Sequence, residues 1–247
     1  MRSSRPLWIL ADCHAGVNLE ADRGLLELLD RAERAGAELL VLGDLFTAWL
    51  GVDRFITKSQ GRVLGAFARI RASGGRVRFV VGNRDYFAED QLGIAFDELI
   101  VTEAVLNLGG RQTLVTHGDL IRSDDVAYRR WRALSRARAT EAAVRRLPAR
   151  LAQELTTRLE SALSKTNQAY KSGPLPISDL EAFGRRALLL GAERALLGHF
   201  HTDQTISVPD GAPVVIAPAW IEQRRVLVVD HEGAFRSVAA PGGSRSS

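Results

Sequence analysis

An α/β fold is predicted by three features of this 247-residue chain. Short apolar runs alternate with helical periodicity through about residue 120, each run ends in polar residues, and the net positive charge belongs to one helical segment. In α/β sheets the ligand crevice lies at the carboxyl ends of the strands, so those polar ends point to a site.

The elements follow in order. Leu7–Ala11 is a short apolar strand, and Leu19–Gly36 has helical spacing that stops at a glycine. Leu39–Leu42 is the second strand, Arg54–Ala72 the second helix and Val77–Val81 the third strand. Val105–Leu108 and Gln112–Thr116 flank Gly109-Gly110 and form a hairpin that delivers His117-Gly118-Asp119. From Val126 to Tyr170 the pattern is helical, Arg-rich and broken at Pro148. Ile177–Gly191 is a helix, Ala195–Gly198 a strand, and two hairpins turn at Pro209-Asp210-Gly211 and near His231-Glu232-Gly233. The small, polar stretch 241–247 is expected to be a flexible tail.

Apolar residues make up 46% and charged residues 25%, which excludes a disordered or fibrous chain. No run of about 18 apolar residues occurs, so no transmembrane helix is expected. Met1–Pro6 leads straight into the first strand, which ends at Asp12 without a small-residue cleavage site, so no signal peptide is expected. A single cysteine excludes a disulfide framework and fits a reducing cytoplasm. Net charge is +4, and it is unevenly placed: Arg122–Lys171 holds 12 basic against 5 acidic residues, which leaves the rest of the chain net negative. That segment faces an anionic partner or is simply well solvated.

Four of the five histidines, His14, His117, His199 and His201, stand at strand ends. Asp12 and His14 are two apart, so on an extended backbone both point to one face while Cys13 packs behind the strand; His199 and His201 repeat that spacing. Asp44 and Asn83 end the second and third strands. Four imidazoles, two carboxylates and an amide oxygen suit a pair of borderline divalent ions such as Mn²⁺, Fe²⁺ or Zn²⁺ better than Ca²⁺ or a thiolate-bound structural zinc. One Asp-x-His arises readily by chance, whereas seven such residues at strand ends do not. His231 is expected to be a solvated hairpin residue, and Trp49 and Trp220 either shape a pocket or, as the default, pack as core aromatics.

Asp12-Cys13-His14, Gly43-Asp44, Gly82-Asn83-Arg84-Asp85, His117-Gly118-Asp119 and Gly198-His199-Phe200-His201 resemble, in order, the signature blocks of calcineurin-like metallophosphoesterases. That resemblance implies a two-layer β-sandwich flanked by helices and a two-metal centre. It also implies that Asp12, His14, Asp44 and His201 hold one ion and Asp44, Asn83, His117 and His199 the other, with Asp44 bridging. Arg84, where most relatives carry histidine, and Gly43–Gly51 look like one branch, which hydrolyses the pyrophosphate of UDP-2,3-diacylglucosamine to UMP and 2,3-diacylglucosamine 1-phosphate in lipid A biosynthesis. Ser123–Tyr128 and Ser164–Ser172 resemble it too.

By the same resemblance the cofactors are two divalent ions, Mn²⁺ expected, and the substrate contacts include Asn83, Arg84, Asp125, Ser164, Lys165, Gln168, Lys171 and His199, Arg84 being catalytic. Gln168 stands where that branch usually has Asn, and Thr202 where it usually has Arg. The implied organisation is a core, 1–121 and 176–240, with an inserted basic helical cap, 122–175. Trp131, Leu134, Val144, Leu147, Leu151, Leu155, Leu159 and Leu163 recur among the cap arginines as an apolar groove or as contacts between cap helices. The protein is then expected in the cytoplasm, peripherally associated with the anionic inner-membrane surface, with a UDP-linked diacylated glucosamine lipid as partner and no nucleic acid. The alternatives are another dinuclear phosphoesterase, such as a nuclease or nucleotide phosphatase, or a non-enzymatic binding module. Arg84 and the apolar stripe argue against the first, and the complete ligand set against the second.

Overall fold

The computed structural model describes residues 5–148, 151, 154 and 173–239. Two sheets pack face to face. The first runs β1 (Leu7–Leu10), β2 (Glu38–Val41), β3 (Val77–Val80) and β4 (Glu98–Ile100), all parallel, with β10 (Arg225–Val229) antiparallel to β1 on its far side and β11 (Phe235–Ala239) antiparallel to β10 beyond it. The second has the order β5-β6-β7-β9-β8, from β5 (Glu103–Leu108), β6 (Arg111–Thr116), β7 (Arg194–Leu197), β8 (Gln204–Ile206) and β9 (Val214–Ile216).

Parallel neighbours need crossovers, and helices supply them. α1 (Leu19–Arg34), α2 (Lys58–Ala72) and α3 (Ala88–Ala95) cover the outer face of the first sheet. α6 (Ile177–Leu189) covers the second. Between the sheets lies a separate apolar core built from Leu7, Ile9, Leu40, Leu42 and Val80 on one side and Leu106, Leu108, Val115 and Leu196 on the other. The architecture is therefore helix, sheet, sheet, helix, the flanked two-layer sandwich that was expected.

Local chemistry fixes the helix starts. Asn18 caps α1 by accepting from Ala21 N–H at 2.7 Å. Thr57 and Gln60 form a reciprocal capping box, so α2 begins at Lys58 rather than at Arg54, and Asp53–Phe55 turns as a short 3₁₀ segment instead. Arg69 on α2 joins Asp30 (2.7 Å) and Glu33 (3.1 Å) on α1.

The described part of the basic segment forms α4 (Val126–Ser135) and α5 (Arg138–Arg146). The expected break at Pro148 is preceded by an earlier one. Ala137 is extended, and the carbonyl of Leu134 accepts from Ala137 N–H (3.2 Å) and from Thr140 Oγ1 (2.7 Å). Three short elements had no clear sequence signal: α3, β4 and α7 (Trp220–Gln223). Cys13 is buried behind β1 among the α1 contacts, and His231 is solvent-exposed, both as expected.

Candidate metal centre

Because β1, β2 and β3 are parallel, their carboxyl ends share one edge, where Asp12, Asp44 and Asn83 stand just beyond the strands. β6 and β7 are parallel as well and bring His117 and His199 to the same place. Two sets of three donors lie within 4.8 Å of one another: Asp12, His14 and His201, and Asp12, Asp44 and His117. Asn83 Oδ1 sits 3.0 Å from His117 Nε2 and 3.1 Å from His199 Nδ1, which completes the second set. All seven sequence-predicted ligands thus converge. Asp12 is common to both sets of three, the place the family resemblance gives to Asp44.

The backbone that achieves this is not the extended one expected for Asp12-x-His14 and His199-x-His201. Asp12 (φ 50°), His14 (44°), Asp44 (50°), His199 (68°) and His201 (52°) are all left-handed. The chain leaves each strand by a tight turn, and that turn, not strand alternation, aims the side chains. Asp and His are among the residues that tolerate this region best. Close backbone approach explains the motif glycines: a Cβ on Gly82 would lie 2.4 Å from Asp44 Oδ1, and one on Gly43 2.5 Å from His117 Nδ1.

Negative charge is concentrated here. Asp12, Asp44, Asp85 and Asp119 are all buried. Burial raises the Asp44 pKa despite the opposing pull of His117 and Arg84. Burial and the neighbouring Asp44 lift Asp85 to about 7. Burial pulls His117 down, but Asp44, Asp12 and Asp119 overcome it and hold the ring up at about 9. His199, buried and close to His117, is pushed down to about 4 and is therefore a neutral imidazole. Asp12 Oδ1 is buried without a hydrogen-bond partner and lies 3.6 Å from His201 Nε2. An orphaned carboxylate oxygen amid carboxylates and imidazoles is a donor set suited to divalent cations, which would supply the missing positive charge.

Arg84 is buried beside the site. Its backbone N–H donates to Asp44 Oδ1 (2.9 Å), its Nε lies 3.4 Å from Asp44 Oδ2, and its Nη1 donates to the Thr47 carbonyl (3.0 Å). Asp125 accepts from Tyr128 N–H at 2.8 Å and so caps α4. Ser164, Lys165, Gln168 and Lys171 fall outside the described residues.

Three site residues were not singled out by sequence. Asp85 Oδ2 accepts from Gly82 N–H (2.8 Å) and Asp44 N–H (2.9 Å), tying two ligand loops together. Glu222 Oε2 is 2.6 Å from His201 Nδ1. Asp119 holds α4 and is kept below the usual carboxylate range: burial alone would raise it, but His117 and Arg132 prevail. Asp85 and Asp119 were visible as motif acids next to ligands; Glu222 carries no local signal.

A two-sheet α/β sandwich with two clusters of Asp, Asn and His at its strand ends has the make-up of a metal-dependent hydrolase. The sequence profile of the calcineurin-like phosphoesterases matches residues 5–203, and the chain belongs to that family of metal-dependent hydrolases. Among curated proteins it is similar to the UDP-2,3-diacylglucosamine hydrolase of Neisseria meningitidis serogroup B, 30% identical over 236 residues that cover 93% of this chain and 96% of that one. The protein of the same name from Pseudomonas putida is also 30% identical, over 87% and 90%. Solved structures with a similar course include an archaeal phosphodiesterase (14% identity, TM-score 0.47, covering 94% and 98%) and a dimetal phosphatase from Danio rerio (13%, 0.43, 96% and 99%).

Proposed function

We propose that this protein hydrolyses the pyrophosphate of UDP-2,3-diacylglucosamine to UMP and 2,3-diacylglucosamine 1-phosphate, with Mn²⁺ as its ions, as a step of lipid A biosynthesis. The observation that carries the reading is the extent of the likeness to two hydrolases of that name, which covers most of the chain. Beside the His14 loop lies a cleft of about 620 Å³ with polar Asn18, Asp22, Ser59 and Gln60 on part of its wall. It is lined by Ala15, next to His14, by Thr47, which receives Arg84, and by Trp49, Leu50, Val52 and Phe55. The apolar part of that wall suits an acyl chain.

In this reading Asp12, His14, Asp44 and His201 would hold one ion and Asp44, Asn83, His117 and His199 the other. When bound, the ions polarise the phosphoryl oxygens and lower the pKa of the attacking water. Water adds in line to the α-phosphorus, the P–O bond to the bridging oxygen breaks, and that oxygen leaves with the lipid sugar phosphate. A guanidinium is a fixed cation with a planar fork of donors, so Arg84 acts by neutralising charge on the pyrophosphate. Its hydrogen bond to Thr47 O fixes the guanidinium for that task.

The cap 122–175 positions the lipid, with Asp125, Ser164, Lys165, Gln168 and Lys171 near the sugar and phosphates. Exposed Trp131 and Leu134 beside its arginines suit a peripheral seat on an anionic inner-membrane surface from the cytoplasmic side. No helix among the described residues is long and apolar enough to cross a membrane.

The test is UMP release from the lipid nucleotide, with bis-p-nitrophenyl phosphate and single-stranded DNA as comparisons, each with Mn²⁺. Arg84→Ala should lower kcat on the lipid nucleotide about 10²–10³-fold with both ions still bound, and Arg84→Lys should recover only part. DNA cleavage without UMP release refutes the assignment in favour of a nuclease.

A further inference from the structure

α4 does more than lie over the site. Arg136, at its end, donates from Nη2 to the carbonyl of Gly82 at 2.5 Å, and its guanidinium sits 5.8 Å from the centre of the Tyr86 ring. Gly82 is the residue before Asn83. One turn back, Arg132 Nε donates to Asp119 Oδ2 at 2.8 Å; a further turn back, the Tyr128 hydroxyl donates to the same oxygen. Asp119 is two residues after His117. The spacing 128, 132, 136 is one stripe of a helix, so a single face of α4 reaches both ligand loops.

Those contacts fall beside motif glycines. Gly82 precedes one ligand, and Gly118 (φ 115°) follows another. Glycine gives the close approach that Asp44 needs at Gly82, at the cost of backbone freedom in the loop. Asn83, His117 and His199 come from three separate loops, and their donor atoms meet within 3.1 Å of Asn83 Oδ1. Something must hold those loops in register.

We infer that α4 is a strut for the metal centre: Tyr128, Arg132 and Arg136 are positioning residues that hold the His117 and Asn83 loops at ligating distance. The inference rests on the family's metal centre and not on the lipid substrate. A helix serving only the lipid would affect only the lipid; a strut affects every substrate, because it acts on the ions.

The experiment uses Arg136→Met, Arg132→Met and Tyr128→Phe, with Arg130→Met, an exposed arginine of the same helix, as control. Bound Mn²⁺ is measured by equilibrium dialysis, and kcat on bis-p-nitrophenyl phosphate across a Mn²⁺ series. The arginine variants should weaken one of two metal equivalents about 10–100-fold, the range for groups that orient metal ligands. Tyr128→Phe should do so less. Saturating Mn²⁺ should restore kcat on the small diester, Arg136→Lys should regain part, and Arg130→Met should match wild type. Tyr128→Phe removes one hydroxyl and keeps the question open to test if an arginine variant does not fold.

Wild-type metal affinity in folded Arg136→Met and Tyr128→Phe overturns the strut, and so does a defect that saturating Mn²⁺ leaves in place. A loss confined to the lipid nucleotide also overturns it while leaving the substrate assignment intact. Wild-type enzyme inert on the lipid nucleotide, with the metal defects as expected, sinks the substrate assignment and keeps the strut.

Discussion

Glu222 gives the clearest handle on how the first ion is held. It stands on α7, whose N-terminal N–H groups dock on the Asp12 loop: Trp220 N donates to Ala11 O (2.9 Å) and Ile221 N to Asp12 O (3.2 Å). From there its carboxylate meets His201 Nδ1 at 2.6 Å, the length of a charge-assisted bond. With Nδ1 donating, the lone pair is on Nε2, the atom 3.6 Å from Asp12 Oδ1, and the carboxylate makes it a stronger donor. Removing such a partner typically costs 10–100-fold in metal affinity or activity. The Glu222 side chain is 39% exposed, so solvent screens part of its charge and the lower end of that range applies. Glu222→Ala should therefore weaken one metal equivalent about tenfold, roughly 1.4 kcal/mol. Glu222→Gln keeps an acceptor and should lose less. The measurement is Mn²⁺ competition against a fluorescent chelator on stripped enzyme, followed by kcat on a small diester at saturating metal, where the mutant should approach wild type. Glu222→Ala with affinity within about twofold of wild type would refute the reasoning, since the contact would then neither orient nor charge the ring.

Other outcomes follow from the same geometry. Asp44→Ala should abolish hydrolysis and leave fewer than two ions per chain, read by metal analysis beside activity. Gly82→Ala forces a methyl to 2.4 Å from Asp44 Oδ1 and 2.5 Å from its backbone N, so it should cost about 1–3 kcal/mol in a denaturant melt and lower kcat as well. His117 is held up at about 9, so an ion taking its Nε2 must displace a proton at neutral pH; metal affinity should climb with pH until about 9. In the metal-free protein the sign reverses. The raised His117 pKa stabilises the fold fully below its ordinary 6.5, and that contribution is lost as pH passes about 9, which melts with chelator present at several pH values would check. Chelation should lower Tm, because each ion present at 100 times its Kd contributes about 2.7 kcal/mol.

The ligand set was legible because parallel strands put their polar ends on one edge whatever the details between them. That logic carried Asp12, Asp44 and Asn83 at once, and the hairpin before His117 carried the second sheet. What alternation along a strand cannot foresee is a left-handed turn, so the reason given for Asp12 and His14 sharing a face was wrong although the convergence is real. Glu222 was illegible for a different reason: it reaches His201 only because α7 docks beside β1, a tertiary fact. The early end of α4 is marked by an extended Ala137 and a side-chain bond from Thr140 to the Leu134 carbonyl, a weaker signal than the proline at 148.

The left-handed backbone at five ligand positions has a consequence for the stability of variants. A left-handed L-residue costs about 1 kcal/mol or more, even where Asp or His softens it, and a whole domain is stable by only about 5–15 kcal/mol. The reactive edge of this sandwich therefore carries more backbone strain than most of the fold, and contacts from Asp85, α4 and α7 hold it. Glycine at Asp44 or His199 removes both the ligand and the conformational penalty, so an inactive relative drifting free of its metals has an easy route to a sturdier apo-fold. A screen that selects this protein for heat resistance without selecting for hydrolysis should therefore accumulate changes at these positions first, and the surviving proteins should be robust and inert.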